Sequence, residues 1–371
     1  MQRHRLRVRQ GLRPAARSPR YILVDASCVT QEAKLMAAVA AISRKRAAPD
    51  DGTAMAPAAN KRAPYGRLRS IREYEKLEVL GKGSYGIVAK ARDRRTGDTV
   101  AVKWNRVGSA DDLIREAGFL ADCLGHPSIV QIRGVAAAAS AASAAEDDAR
   151  RLFLVMEFVG PSLRTVLKRR RRRRFSEAEA RGVMRQLLGA AEKLHGAGII
   201  HRDIKPANIL VGPGAAAKLC DFGAAAPTMP AGTPYPEESV GTLLYRSPEQ
   251  LKGSQCYGPA VDMWALGCVM WELLAGEALF GEAYTDEEVL ILAGNLRDDI
   301  VYAGSEAFRS LPEPLSPSAG KVLCGLLCYD HEQRFTAAEA LKQRWFTEGD
   351  EAGECEDEDH PGTAPLWSVA S

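Results

Sequence analysis

Apolar and polar residues alternate in short runs through the first patterned stretch of the chain. Glu75–Val79 and Ile87–Arg92 read as two strands around a glycine turn. Thr96-Gly97-Asp98 marks a hairpin, and Thr99–Trp104 reads as the next strand. The period then lengthens. Apolar residues at 113, 114, 117, 120 and 124 predict a helix over Asp111–Leu124. Two further strands, Ile129–Val135 and Leu152–Phe158, flank an Ala/Ser-rich segment, 136–149, that reads as an inserted loop. From Ser176 onward helical spacing dominates, over 177–196, 259–276, 317–328 and 336–345. Strands first and helices afterwards predict an α+β fold of two unlike lobes, over 73–158 and 159–347. Residues 1–72 show neither period and are expected to be a disordered, basic and Ala-rich extension, with order beginning near Tyr74. Eight Asp or Glu residues between 348 and 359 make 348–371 an expected disordered acidic tail.

Composition narrows the class. Hydrophobic residues are 46% of 371, ample for a buried core, and no run of about 18 uncharged apolar residues predicts a membrane span. Fifty basic against 47 acidic groups leave a net charge of +3, so no general nucleic-acid affinity is expected. The eight cysteines form no C-x-x-C pair and the six histidines do not cluster with them; reduced thiols in an intracellular protein are expected, not a zinc site.

Charge is nevertheless segregated. Residues 1–20 hold seven arginines and no acid, which fits an organellar transit peptide or a leader ahead of a true start at Met36. Arg44-Lys45-Arg46 and Lys61-Arg62 fit a paired nuclear signal or a solvated linker. The expected location is nucleus or cytoplasm, with an organelle as the alternative. Lys168 and Arg169–Arg174 form a basic run that reads most simply as an exposed, expanded loop; an acidic partner, RNA or the chain's own tail would also fit it.

The candidate chemistry begins at Gly81-Lys82-Gly83-Ser84-Tyr85-Gly86, a G-x-G-x-x-G string. A dinucleotide-binding turn would lead into a helix; here Gly86 leads into a strand, and Val100-Ala101-Val102-Lys103 follows on the next one. That context predicts a glycine loop over phosphates, with Lys103 as a point charge toward them. Glu116, in the first helix, is the candidate partner of Lys103. The most specific string is His201-Arg202-Asp203-Ile204-Lys205-Pro206-Ala207-Asn208, an H-R-D-x-x-x-x-N pattern, followed by Asp221-Phe222-Gly223. Asp203 can take a hydroxyl proton, Lys205 can neutralise transferred charge, and Asn208 with Asp221 can hold Mg²⁺.

Over residues 77–347 the chain resembles the eukaryotic protein kinases. Ser247-Pro248-Glu249 stands where that family has Ala-Pro-Glu. Asp262-Met263-Trp264-Ala265-Leu266-Gly267 resembles its D-x-W-x-x-G helix, and Arg334 is placed to pair with Glu249. The resemblance implies a bilobal kinase fold, with an antiparallel β N-lobe carrying one long helix. It implies ATP and Mg²⁺ as cofactors and protein substrates phosphorylated on Ser or Thr. ATP would meet Gly81–Gly86, Val88, Ala101, Lys103, Leu210 and a hinge at Glu157-Phe158-Val159 beside Met156. The alternative is a pseudokinase scaffold that binds partners without catalysis.

Within the family the chain is most similar to the cyclin-dependent group, and within that group it resembles the plant F-type members. Val240-Gly241-Thr242-Leu243-Leu244-Tyr245-Arg246 resembles that group's V-V-T-L-W-Y-R, whose turn implies a preference for Ser/Thr-Pro. Ser84 and Tyr85 stand where the group carries inhibitory phosphosites. Three features depart from it. The cyclin-docking helix retains only Ile114-Arg115-Glu116, so a cyclin-like activator is an open partner and a monomeric catalytic subunit is expected. The insertion between Phe280 and Leu315 is short. Glu237 stands at the usual phosphothreonine position, with Arg115 and Arg202 as two of three arginines and Ala226 at the third. Glu237 either orders this loop constitutively or is an incidental surface residue.

Overall fold

The computed structural model describes residues 68–83, 86–105, 110–138, 151–170, 174–311 and 313–347. The basic leader, Ser84 and Tyr85, most of the inserted loop and the acidic tail lie outside them. The N-terminal lobe is a six-stranded sheet and one helix. Its elements are β1 (Arg69–Ser70), β2 (Tyr74–Gly83), β3 (Gly86–Asp93), β4 (Thr99–Trp104), α1 (Ala110–Asp122), β5 (Ile132–Ala137) and β6 (Leu152–Glu157). The strand order is β1-β5-β6-β4-β3-β2. All neighbours are antiparallel except β1 on β5, so the expected all-antiparallel sheet gains one short parallel pair.

That pair moves the start of order ahead of Tyr74, a correction to the extension drawn through residue 72. Arg69 is the reason. Its guanidinium makes a two-pronged bond to Asp93 at 2.5 and 2.8 Å and reaches Glu73 at 2.8 Å, while its face lies 4.5 Å from the Tyr74 ring centre. These contacts pin the incoming chain to the end of β3.

The C-terminal lobe is helical. Its helices are α2 (Leu163–Arg169), α3 (Glu177–Gly196), α4 (Pro248–Leu251), α5 (Ala260–Ala275), α6 (Asp286–Ala303), α7 (Pro317–Leu326), α8 (Ala337–Leu341) and α9 (Arg344–Thr347). Small strand pairs, β7 (Ile199–Ile200) with β10 (Ala226–Pro227) and β8 (Ile209–Val211) with β9 (Ala217–Leu219), shape the loops between α3 and α4. The expected helix 336–345 is in fact two short ones. The α3 helix begins where its sequence says it should: the Ser176 hydroxyl accepts from the Glu179 N–H and the Ser176 N–H donates to the Glu179 carboxylate, a capping box. Its apolar face, including Met184, Leu187, Leu188 and Leu194, is fully buried against α5, whose Trp264, Leu266 and Met270 are equally buried. This packing gives the loops that follow α3 a rigid base.

Candidate active site

Strand β4 and helix α1 bring Lys103 and Glu116 together. Lys103 Nζ lies 2.7 Å from each Glu116 carboxylate oxygen and 2.6 Å from Asp221 Oδ1. Lys103 and Glu116 are almost wholly buried. Burial alone would lower the ammonium's pKa, but the Glu116 and Asp221 charges outweigh it and hold Lys103 protonated. Burial pushes the Glu116 carboxyl up, and Lys103 only partly offsets this. Burial also disfavours ionised Asp221, yet Lys103, aided by His201 and Lys205, keeps its pKa below the ordinary value.

The catalytic string forms a second cluster. Lys205 Nζ donates to Asp203 Oδ2 at 2.8 Å and to Thr242 Oγ1 at 2.6 Å, and the Thr242 hydroxyl donates to Asp203 Oδ1 at 2.8 Å. Asn208 spends its amide N–H groups on the Asp203 backbone carbonyl at 2.9 Å and on Asp203 Oδ2 at 3.0 Å. This turns its carbonyl oxygen the other way, toward a cation ligand's role.

Asp262, on α5, fixes the loop from below. Its buried carboxylate accepts from the His201 and Arg202 backbone N–H groups at 2.8 Å each, and lies 2.9 Å from His195 Nε2. Burial would raise this carboxyl's pKa, but the bond from His195 leads the groups that keep it low. The brace holds real strain. Three described non-glycine residues have positive φ, and two of them, Arg202 at 65° and Asp221 at 63°, lie in this site. Arg334 clamps Glu249 at 2.8 and 3.0 Å, as its spacing implies.

Between the lobes lies a cavity of about 300 Å³. Leu80, Val88, Ala101, Met156, Val159 and Leu210 give it apolar walls, and Lys103, Asn208 and Asp221 place polar groups at its inner end. An apolar slot ending in a cation and two hard oxygen donors fits a nucleoside triphosphate with Mg²⁺. Gly160 is obligatory at the rim: a Cβ there would stand 2.2 Å from the Val211 carbonyl oxygen.

Several expected contacts differ. Lys82, Gly83 and Gly86 form the end of the β2–β3 ribbon but do not line the cavity; of the expected glycines Gly81 does. Ser84 and Tyr85 fall outside the described residues. Glu157 lines the cavity, but its carboxylate is bound to Lys218 at 2.7 Å and to the Gln131 N–H at 2.8 Å. Thr242 belongs to the Val240–Arg246 string, but its place beside Asp203 and Lys205 was not foreseen, and nothing in the local sequence marks Lys218. Arg202 grips Glu237 at 3.1 and 3.3 Å, whereas Arg115 bonds Asp112 at 3.2 Å and acts on Glu237 through its charge across the cavity they both line. Ala226, at the third arginine's place, is buried in β10 and adds no charge. The bond from Arg202 holds the Glu237 carboxyl below the usual carboxylate range.

Comparison with known proteins agrees with this geometry. Residues 74–346 match the protein kinase domain family. A rice protein (Oryza sativa subsp. japonica) bearing the name cyclin-dependent kinase F-2 is 41% identical over 76% of this chain and 91% of its own length. Cyclin-dependent kinase G-1 of Oryza sativa subsp. indica is 33% identical over 76% of this chain but only 43% of its own length. Extracellular signal-regulated kinase 2 of Dictyostelium discoideum is 32% identical over 75% of this chain and 80% of its own length. The chain belongs to the protein kinase domain family. Within it the chain is a serine/threonine protein kinase of the cyclin-dependent kinase type.

Proposed function

We propose that this protein transfers the γ-phosphoryl group of Mg²⁺-ATP to Ser or Thr followed by Pro in protein substrates. The adenine would occupy the apolar slot, with Lys103 on the phosphates and Asp221 and Asn208 on Mg²⁺, which would neutralise phosphate charge. Asp203 orients and deprotonates the substrate hydroxyl, with its carboxylate aimed by Thr242 and Asn208. Lys205 sits 2.8 Å from that carboxylate and supplies positive charge beside the transferred group.

One observation carries the preference for proline. Gly241 has φ +88°, and its carbonyl oxygen accepts from Arg246 Nη2 at 3.1 Å and Nε at 3.3 Å. The turn therefore keeps its carbonyl engaged internally, and a +1 residue's N–H loses an acceptor. Proline has no N–H to leave unpaired. Leaving one unpaired costs about 1–3 kcal/mol, so a preference of about 5- to 150-fold is expected. The test is the ratio of kcat/KM for matched Ser-Pro and Ser-Ala peptides with the full chain. A ratio near one refutes proline direction.

Activation is proposed to need no phosphate on the loop. The Arg202–Glu237 pair supports this, as does the closed Lys103–Glu116 pair, which also argues against an obligatory cyclin-like activator.

A further inference from the structure

The N-terminal end of α3 carries more positive charge than the carboxylates bonded there can satisfy. Lys168 and Arg169 are exposed at the end of α2. Arg170 donates to Glu179 at 3.0 and 3.2 Å and stacks 4.1 Å from the Phe175 ring centre. Arg181 reaches Glu177 only at 3.8 Å. Glu177 is taken up by neutral donors: the Ser316 hydroxyl at 2.6 Å, the Ser316 N–H at 2.9 Å and the Trp345 indole N–H at 2.8 Å. Among the described residues four buried side-chain polar atoms lack a hydrogen bond, and three belong to this cluster: Arg170 Nε, Arg174 Nη1 and Arg181 Nε. A cluster short of acceptors calls for an anionic partner.

The chain itself brings one to this spot. Trp345, bonded to Glu177, lies with its ring centre 5.8 Å from the Arg181 guanidinium, and Arg185 donates to the Phe346 carbonyl. Thr347 ends α9, and residues 348–359, which follow directly, include eight Asp or Glu and no base. Arg174 is three residues from Glu177, within about 10 Å, and twelve extended residues span about 40 Å, so the acidic stretch reaches the whole cluster.

We propose that residues 348–359 fold back onto the α2–α3 junction and act as its counter-charge, binding Lys168, Arg169, Arg170, Arg174 and Arg181. The tail is then an internal occupant of a surface that an acidic protein segment would otherwise take. The contact is electrostatic and strengthens as salt falls, since the screening length runs from about 30 Å at 0.01 M to about 3 Å at 1 M. It does not depend on the catalytic reading.

Trypsin tests this, because the tail contains no Lys or Arg while the junction is rich in both. The rate of cleavage after residues 168–174 is compared in the full chain and in a full-length variant with Glu354→Gln, Glu356→Gln, Asp357→Asn, Glu358→Gln and Asp359→Asn. In 0.01 M salt the unaltered chain should be cut there at least fivefold more slowly, with cleavage elsewhere unchanged. The difference should vanish in 1 M salt. Carbodiimide should also link Lys168 to carboxylates of 348–359 in low salt. Equal cleavage rates in low salt, or protection by an added RNA oligonucleotide but not by the tail, would overturn the proposal.

Discussion

Replacing Glu116 by Gln probes the innermost contact of the site. The Lys103 ammonium is held by two Glu116 oxygens at 2.7 Å and one Asp221 oxygen at 2.6 Å, with side-chain exposures of 4% for Lys103, 3% for Glu116 and 32% for Asp221. Removing one partner of a buried pair ordinarily costs about 3–5 kcal/mol, because the other charge is left uncompensated. Here Asp221 remains and the Gln carbonyl still accepts one bond, so about 2–3 kcal/mol is the appropriate range. At 1.36 kcal/mol per decade, kcat/KM should fall about 30- to 150-fold. The loss has a second signature. Lys103 turns further onto Asp221 and competes with the cation, so the Mg²⁺ concentration for half-maximal rate should rise. The assay is steady-state transfer to a Ser-Pro peptide across a Mg²⁺ titration, with thermal melting as a check on folding. A folded variant within threefold of the parent, with unchanged Mg²⁺ dependence, would refute the assigned role of Glu116.

Other expectations follow from the same geometry. Glu237→Ala should lower activity about two- to tenfold, since its partly exposed pair with Arg202 is worth about 1 kcal/mol, whereas Glu238→Ala should be silent; equal effects in parallel rate measurements would refute the ordering role. Gly241→Ala places a Cβ 2.6 Å from the Arg202 carbonyl oxygen at φ +88° and should reduce both melting temperature and the Ser-Pro preference; an unchanged peptide ratio counts against the turn. Thr242→Val should lower kcat more than KM, because it removes a hydroxyl that orients Asp203 without reaching the nucleotide cavity; a pure KM effect contradicts this. The Arg69 guanidinium holds the Asp93 carboxyl down at about 2, below its unfolded value, so this pair adds stability above about pH 4 that is lost as pH falls toward 2. The gap in urea midpoint between parent and Asp93→Asn should therefore narrow from pH 5 to pH 3, and a widening gap would refute the linkage.

Most of this site was readable because its chemistry is written in short strings. Asp203, Lys205 and Asn208 sit within six residues, and Lys103 and Glu116 are linked by one strand–helix connection. What escaped depends on contacts distant in sequence. Thr242 meets Lys205 across 37 residues, and Lys218 meets Glu157 across 61. The first strand was missed because Arg69 is ordered by Asp93, 24 residues on, and not by local pattern. Helix α6 was also overlooked. Val289-Leu290-Ile291-Leu292 blurs any helical period, and of the helix only Val289 and Ala293 are buried, while Ile291, Val301 and Tyr302 are exposed. Its start signal was nevertheless present: Thr285 and Glu288 form a capping box.

The most direct test of the central claim is phosphate transfer from Mg²⁺-ATP to a Ser-Pro peptide by the full chain, beside its Asp203→Asn variant. Sustained transfer by the parent that falls by at least two decades in a folded Asp203→Asn protein is the predicted result. Absence of transfer by the parent, or undiminished transfer by the variant, would contradict it.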